Sequence, residues 1–370
     1  MSAIEVRFGK SFHPDAQTAV YELAAQTSGI DPDFLIFFCS PKYDLPALGK
    51  AIKAVFDCPA IGCTTAGEIL GSAGYIEGSI VCAAISSGKL AARLFFIKDL
   101  RAFANDQAPL EKLPGVDRKR SFALFLIDGL SMLEEPVVAR INQTLKGVPL
   151  IGASAADGLS FEHAYVYHDG AFHQNAAMLA IVETSLPFLP LHIQHFEPTE
   201  KRFVITAADP LTRTVTEING LPAVGEYARA VGMSIDTLGA EIFTAHPVML
   251  KVGGKYHVRT IKNANPDGSL SFFCAIDSGI VLTVAKPSGS PTENLENNLN
   301  EIRKTIPNPA LIFGSDCMHR RLEMQRDGNI GEANSILSHY PFIGFSTYGE
   351  QFYGVHVNYT LTALVLGNEM

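Results

Sequence analysis

A mixed α+β fold is predicted, in which strand-helix-strand-strand units used three times form mixed sheets flanked by helices, interrupted by an antiparallel β-rich insert. Three observations carry the prediction. The phrase Ile61-Gly62-Cys63-Thr64-Thr65-Ala66-Gly67-Glu68 returns as Ile151-Gly152-Ala153-Ser154-Ala155-Ala156-Asp157-Gly158 and again as Ile343-Gly344-Phe345-Ser346-Thr347-Tyr348-Gly349-Glu350. Each phrase follows an apolar run and a helix-like stretch and precedes a strand-like run, as a repeated supersecondary unit requires. The text from about Leu186 to Asn308, between the second and third phrases, has a different texture of short strand-like runs.

In the first copy, the run Phe34 to Cys39 reads as a strand. Leu45, Leu48, Ile52, Val55 and Phe56 then fall at helical spacing behind Asp44, whose carboxylate can accept from the first turn's N–H groups. The phrase and the strand-like run Ile80 to Ile85 follow, and strand-helix-strand favours a parallel pair. The second copy repeats this with Phe122 to Ile127, then the face Val137, Val138, Ile141 and Leu145 ended by Gly147 and Pro149, then Ala176 to Val182. The third uses Ala310 to Phe313, then Ile330, Ala333, Ile336, Leu337 and Tyr340 before Pro341, then Thr360 to Leu366.

Within the insert, strands are expected at His192 to Phe196, Phe203 to Ala207, Thr214 to Ile218, Pro247 to Val252, Tyr256 to Ile261, Ser269 to Ile276 and Ile280 to Ala285. Gly253-Gly254 suits a hairpin and Pro266-Asp267-Gly268 a tight turn. Helices are expected near Ala223 to Val231 and near Glu293 to Thr305. At 370 residues the chain is long for one core, so two domains are expected, 1–217 and 218–370.

An apolar content of 47% against 18% charged residues is enough for a large core. The net charge of -9, with no basic cluster longer than Arg118-Lys119-Arg120, argues against nucleic acid as a partner. Met1 to Lys10 lacks a signal-peptide apolar core, and no apolar run reaches the roughly 18 residues of a membrane span, so a cytoplasmic protein without membrane attachment is expected. Six cysteines without a CxxC pair fit a reducing compartment and lack the spacing of zinc fingers, Fe–S clusters or covalent haem.

The phrases are the first candidates for chemistry. Glycines and small hydroxyl residues after a strand allow close backbone approach and positive φ, which serves a structural turn or a ligand resting on bare N–H groups. Glu68 and Glu350 hold one position in two copies and are expected to face a common cleft, with Cys63, Thr64 and Tyr348 beside them in the phrases as candidate ligand-binding residues. Cys63 and Cys317, the latter two residues before His319, invite a thiol nucleophile, although small buried cysteines are the simpler reading. His246, a lone imidazole in Phe243-Thr244-Ala245-His246-Pro247-Val248, is either a core residue with one hydrogen bond or an axial ligand in an apolar pocket, with Arg259 placed to neutralise a propionate.

The texts Tyr256-His257-Val258-Arg259-Thr260-Ile261, Asn265-Pro266-Asp267-Gly268-Ser269-Leu270, Phe273-Cys274-Ala275-Ile276-Asp277-Ser278-Gly279, Ser315-Asp316-Cys317-Met318-His319-Arg320-Arg321-Leu322-Glu323 and Gly344 to Gln351 together resemble the FIST family (F-box and intracellular signal transduction). Cys63 to Glu68 matches its N-terminal half. The resemblance implies a sensory protein with a FIST N and a FIST C domain, and not an enzyme. It is closest in character to a NosP-like bacterial branch, which implies b-type haem, nitric oxide as the signal, and a sensor histidine kinase or a diguanylate cyclase or phosphodiesterase as partner, with room for a homodimer. His246 as metal ligand, with Arg259, Cys317 and His356, would then hold the cofactor. The chain departs from that branch at Ser315, in Gly314-Ser315-Asp316-Cys317, and at Tyr359, in His356-Val357-Asn358-Tyr359-Thr360. Two alternatives stand beside it: a haem-free sensor of an amino acid or other small metabolite, and a cysteine-dependent enzyme.

Overall fold

The apolar runs that open the three copies become the strands Phe34–Cys39, Ser121–Asp128 and Pro309–Cys317, the first two wholly buried. Burial on both faces explains why their sequences are continuously apolar and do not alternate. The computed structural model describes residues 4–106 and 116–369. The chain divides into two units, Met1–Ile193 with Leu295–Val355 and Leu361–Met370, and Gln194–Asn294 with His356–Thr360.

In the first unit each opening strand pairs in parallel with the strand carrying its Ile-Gly phrase: Phe34–Cys39 with Ala60–Thr64, Ser121–Asp128 with Leu150–Ala155, and Pro309–Cys317 with Phe342–Thr347. Its other edge takes the copy's last strand antiparallel, Ile80–Ser86, Ala177–Thr184 and Leu361–Gly367 respectively. A further strand closes each sheet on that side: Glu5–Ser11, Leu90–Ile97 and Phe188–Ile193. The repeat is therefore longer than the pattern in the sequence indicates. It is strand, helix, strand, helix, strand, hairpin, strand, and the insert lies inside the third copy, after its first strand Phe188–Ile193 and before its helix Pro291–Thr305.

The hairpins are exchanged. Glu68–Leu70 and Gly74–Ile76 of the first copy join the sheet of the third. Val166–His168 and Ala171–His173 of the second join the first, and Glu350–Phe352 of the third joins the second. Each copy thus completes a neighbour's sheet, in one rotational sense.

The inner faces of the three sheets share one core. Ile36, Phe38, Leu124, Leu126, Phe313 and Phe345 meet in it, and Phe38 lies 4.4 Å from Phe345 and 5.9 Å from Phe313 between ring centroids. The outer faces pack under helices: Ala16–Gln26 and Leu45–Val55 on the first sheet, Leu100–Asn105 and Glu134–Leu145 on the second, Pro291–Thr305 and Ile330–Leu337 on the third. Asp44 caps its helix as expected, accepting from Ala47 N at 3.0 Å.

The glycine of each Ile-Gly pair needs no positive φ; it is bare because the neighbouring strand is too close. A Cβ at Gly62 would come within 2.5 Å of the Phe37 ring, at Gly152 within 2.8 Å of Gln351 Oε1, and at Gly344 within 2.0 Å of the Gly314 carbonyl oxygen. Beyond these glycines the three phrases bond to one another in a closed circuit. Ala156 N and Gly158 N donate to the carbonyls of Thr64 and Thr65 at 2.9 and 3.2 Å. Ala66 N donates to Ser346 O at 2.9 Å and Ser346 N to Gly67 O at 2.7 Å, and Ser154 N completes the circuit on Gly349 O at 2.9 Å.

The second unit is an antiparallel sheet of strands ordered Lys255–Arg259, Val248–Val252, Val281–Pro287, Phe196–Asp209, Thr214–Ile218, Leu270–Phe272 and Ile261–Ala264, with Leu221–Pro222 paired to Thr214–Ile218. Its two outermost strands are joined by Thr260 alone, so the sheet must curl back on itself. The expected single strand Tyr256 to Ile261 is broken there, and the expected strand His192 to Phe196 is broken after Ile193, so His192 and His195 do not share a strand. The strand expected over Ser269 to Ile276 is confined to Leu270–Phe272. Gly253 and Gly254, at φ 57° and 85°, form the anticipated hairpin turn.

A methyl group added at two glycines of the third copy should have opposite effects. Gly344→Ala should lower unfolding stability by about 3 kcal/mol or more, because the intruding atom meets backbone that cannot turn aside. Gly331→Ala, in the helix Ile330–Leu337 with open space around its Cβ position, should raise it by up to about 1 kcal/mol. Urea denaturation of the two variants checks both signs.

Candidate functional site

The carboxyl ends of the strands Phe34–Cys39, Ala60–Thr64, Leu150–Ala155 and Pro309–Cys317 open onto one crevice of about 350 Å³. Its walls are Ser40 to Lys42, Thr65 to Glu68, the turn Glu77-Gly78, Asp157 to Ser160, and the face Met318, Arg321, Leu322 and Gln325 of the helix Met318–Arg326. A second cavity of about 740 Å³ shares Pro41, Lys42, Asp157 and Ser160 with it and continues past Tyr43, Tyr165 and Phe172. All three copies contribute to the crevice. Ligands favour crevices outside the carboxyl ends of parallel strands because backbone groups there are not used by the sheet.

Three groups define its chemistry. The first is Glu68, fully buried, whose Oε1 accepts from Thr65 Oγ1 at 2.6 Å and whose Oε2 accepts from Ser79 Oγ at 2.6 Å and Ser79 N at 3.1 Å. Burial pushes its carboxyl up to about 7, and these three donors limit the rise.

The second is Asp157, which stands where the other phrases have Gly67 and Gly349. Its carboxylate accepts from the N–H groups of Phe161, Glu162 and His163 at 2.9, 2.8 and 2.7 Å and from the Tyr348 hydroxyl. Burial works to raise its pKa, but the Tyr348 hydroxyl and the three amides outweigh it and hold the group below the usual carboxylate range. Phe161 stacks on Tyr348 at 4.5 Å, closing the loop over the Asp157 anchor.

The third is Arg321, whose side chain is 8% exposed. Its Nη1 donates to the Ala66 carbonyl at 2.8 Å and its Nη2 to Glu77 at 2.5 Å. It lies against Gly67, where φ is +125° and a Cβ would fall 1.9 Å from Nη1, so this glycine is required twice over. The preceding residue, Arg320, turns the other way into a buried pair with Asp316 at 2.7 Å, where Tyr75 also donates to Asp316.

The residues singled out from the sequence are distributed as follows. Glu68 lines the crevice, whereas Glu350, equally buried, is not among its lining residues and lies in the exchanged hairpin strand Glu350–Phe352. Thr64 is structural: its hydroxyl accepts from Tyr165 N at 3.0 Å. Tyr348 acts through Asp157. Cys63 is fully buried in the shared core, and burial pushes its thiol well above the usual range, the reverse of what a nucleophile needs. Cys317, also buried, has its Sγ 3.7 Å from His319 Nδ1. Asp157, Glu77 and Arg321 were not anticipated as site residues; the odd residue in an otherwise glycine position was the signal for Asp157.

His246, Arg259 and His356 belong to the second unit and Cys317 to the first. His246 is half-buried after the helix Ala240–Ala245, its carbonyl accepting from Tyr227 at 2.8 Å, and burial, with a smaller effect of Lys201, lowers its imidazole pKa. A neutral imidazole is the form that ligates iron. Arg259 is buried with its Nη1 on the Val258 carbonyl at 3.1 Å and its Nε without a partner among the described residues, so the His246 imidazole is chemically suited to ligate iron and the Arg259 guanidinium to pair with a propionate. The cavities described here lie in the first unit. Among the described residues no group of three or more His, Cys, Asp or Glu could hold a metal ion, and no helix is long and apolar enough to cross a membrane.

A crevice of this size, at the carboxyl ends of parallel strands and walled by a buried carboxyl and a buried guanidinium, belongs to a small-ligand-binding module. The chain is a member of the FIST family: the FIST N domain matches residues 33–221 and the FIST C domain residues 223–353. FIST domains are in general sensor domains of signal transduction that bind small ligands. The chain is 23% identical over 287 residues to the uncharacterized protein MJ1623 of Methanocaldococcus jannaschii, a match covering 71% of this chain and 55% of that protein, so it spans about half of the relative's length. Among solved structures, cyanuric acid hydrolase from A. caulinodans is similar over 49% of this chain and 71% of its own at 10% identity and a TM-score of 0.27. PurLQS from Thermotoga maritima is similar over 99% and 72% at 9% identity and a TM-score of 0.21. At these scores neither likeness carries an argument.

Glu68 makes stability depend on pH in a known direction. Its folded value of about 7 lies above the ordinary 4.5, so between these values the folded chain holds a proton that the unfolded chain releases. Stability should therefore fall as pH rises from about 4.5 to 7, by on the order of 3 kcal/mol if Glu68 acts alone. Glu68→Gln should flatten that slope. Urea midpoints of both proteins at pH 5 and pH 8 decide it, and parallel slopes would remove Glu68 as the cause.

Proposed function

We propose that the chain is a small-ligand sensor whose ligand occupies the crevice where the first two phrases end against the helix Met318–Arg326 of the third copy. The observation that carries this reading is that one crevice is walled by all three copies, at Thr65 to Glu68, at Asp157 to Ser160 and along Met318 to Gln325. A ligand there touches two of the segments that close the hydrogen-bond circuit, so occupancy bears on the arrangement of the whole first unit. The volume suits a metabolite of about amino-acid size or somewhat larger. The output is proposed to be an altered surface read by a sensor histidine kinase or a diguanylate cyclase or phosphodiesterase.

A ligand that binds only the folded state raises the melting temperature. Within an amino-acid and metabolite panel, at least one compound should do so with the wild-type protein and fail with Ser160→Trp, which fills the crevice from an exposed position. A shift that survives Ser160→Trp would refute the site.

The second reading is a b-type haem protein responding to nitric oxide. It is supported by the His246 imidazole, whose pKa burial lowers, and by the buried Arg259 guanidinium, whose Nε has no partner among the described residues. When bound, haem would supply the iron that takes up nitric oxide; His246 would hold it through an imidazole nitrogen and Arg259 would offer a charge partner for a propionate. Protein produced with ample haem should show a Soret band that His246→Ala displaces or abolishes. A colourless protein that also fails to take up added hemin ends this reading and leaves the first untouched.

A further inference from the structure

The crevice contains charges of both signs, but they are not equally engaged. Both oxygens of Glu68 already accept hydrogen bonds, from Thr65 and from Ser79, and Asp157 accepts from three amides and a tyrosine. Neither carboxylate is left to seek a cation. Arg321 is different. It is buried, its Nη1 is pinned to the Ala66 carbonyl so that the fork is fixed in direction, and its Nε has no partner among the described residues. Nε and Nη2 form the edge of a guanidinium that grips a carboxylate with two parallel hydrogen bonds. Here that edge is half used: only Nη2 is paired, with Glu77, and the Glu77 side chain is 70% exposed on the turn that follows the strand Gly74–Ile76. A buried cation whose bidentate edge meets one oxygen of a solvent-borne carboxylate is matched for a better anion than the one it has.

Resting on the crevice as the ligand site, we propose that the ligand carries a carboxylate, that Arg321 is the residue that reads it, and that Glu77 is an internal competitor the ligand displaces. The rest of the lining fits the other end of such a molecule. Met318, Leu322 and the exposed Leu159 give an apolar surface beside the Arg321 fork. The ligand class is thus an organic acid with an apolar body. Because the Glu77 partner is 70% exposed and its charge is screened by solvent, Glu77 sets a modest threshold and does not lock the site.

The probes are butyrate, hexanoate and 3-phenylpropionate, each titrated beside its primary amide by isothermal calorimetry into the full chain. At least one acid should bind wild type in preference to its amide. Glu77→Gln should bind that acid roughly two- to fivefold tighter, the range that loss of a solvent-screened competing carboxylate allows. Arg321→Gln should weaken the acid by roughly ten- to hundredfold and abolish the preference over the amide. Arg321→Lys, which keeps the buried charge and loses the fork, should retain the fold and part of the preference. Amides bound as well as acids, a Glu77→Gln variant with unchanged or weaker acid binding, or no acid bound by either wild type or Glu77→Gln would each overturn the proposal. Probes that Ser160→Trp excludes but that bind equally as acid and amide would overturn the carboxylate claim while leaving the crevice standing. Acid binding that survives Ser160→Trp would overturn both.

Discussion

The closed circuit of backbone hydrogen bonds among the three phrases is the constraint on which the first unit depends. A strand that ends at Thr64, Ala155 or Thr347 cannot simply stop, because its next amides and carbonyls would be buried without partners, and such groups are costly. Each phrase solves this with the next one: Thr64 and Thr65 serve Ala156 and Gly158, Ser346 serves Ala66, and Gly349 serves Ser154. Having crossed over, each chain is already beside a neighbour's sheet, and its hairpin has an open strand edge to join. The hairpin exchange is therefore a consequence of the circuit. It also means that no copy completes its own sheet, so the three must form together, although Glu68 and Phe345, which pair directly, lie far apart in the chain.

Symmetry of this kind makes a scaffold, and departures from it make a site. At one position the three phrases carry Gly67, Asp157 and Gly349, and at the next Glu68, Gly158 and Glu350. Asp157 draws in the following loop through three amides, and Tyr348, which replaces the alanine of the other two phrases, closes that anchor. Gly67 stays bare so that Arg321 can lie across it. The ends of two phrases, with a helix of the third copy, thus become one crevice with a defined polarity.

Much of the scaffold was legible from periodicity. The opening strands, the helices behind Asp44 and around Val137 to Leu145, and the parallel pairing all follow from local patterns of burial and capping, which a sequence carries directly. The exchanged hairpins were harder, because strands of three residues such as Glu68–Leu70 and Gly74–Ile76 have no period to detect and owe their conformation to a distant edge. Glu68 was legible as a site residue because it sits within the repeat. Arg321 was not, since Arg320 and Arg321 are chemically identical in the text, and only the fold sends one into a buried pair with Asp316 and the other to the crevice. Nor could the sequence separate Glu68 from Glu350, which occupy equivalent positions on hairpins that join different sheets.

The location of the insert bears on how a sensor of this build can report. It enters the third copy after Phe188–Ile193, and the segment His356–Thr360 returns to the second unit from within that same copy. In that unit Tyr359 is fully buried against Phe196, at 5.0 Å between ring centroids, in a cluster with Met249, Val258 and Ala285. The third phrase, one of the three members of the circuit, therefore runs through only a few residues of hairpin before it becomes part of the second unit's core. The third phrase and the core of the second unit are thus joined through the chain itself.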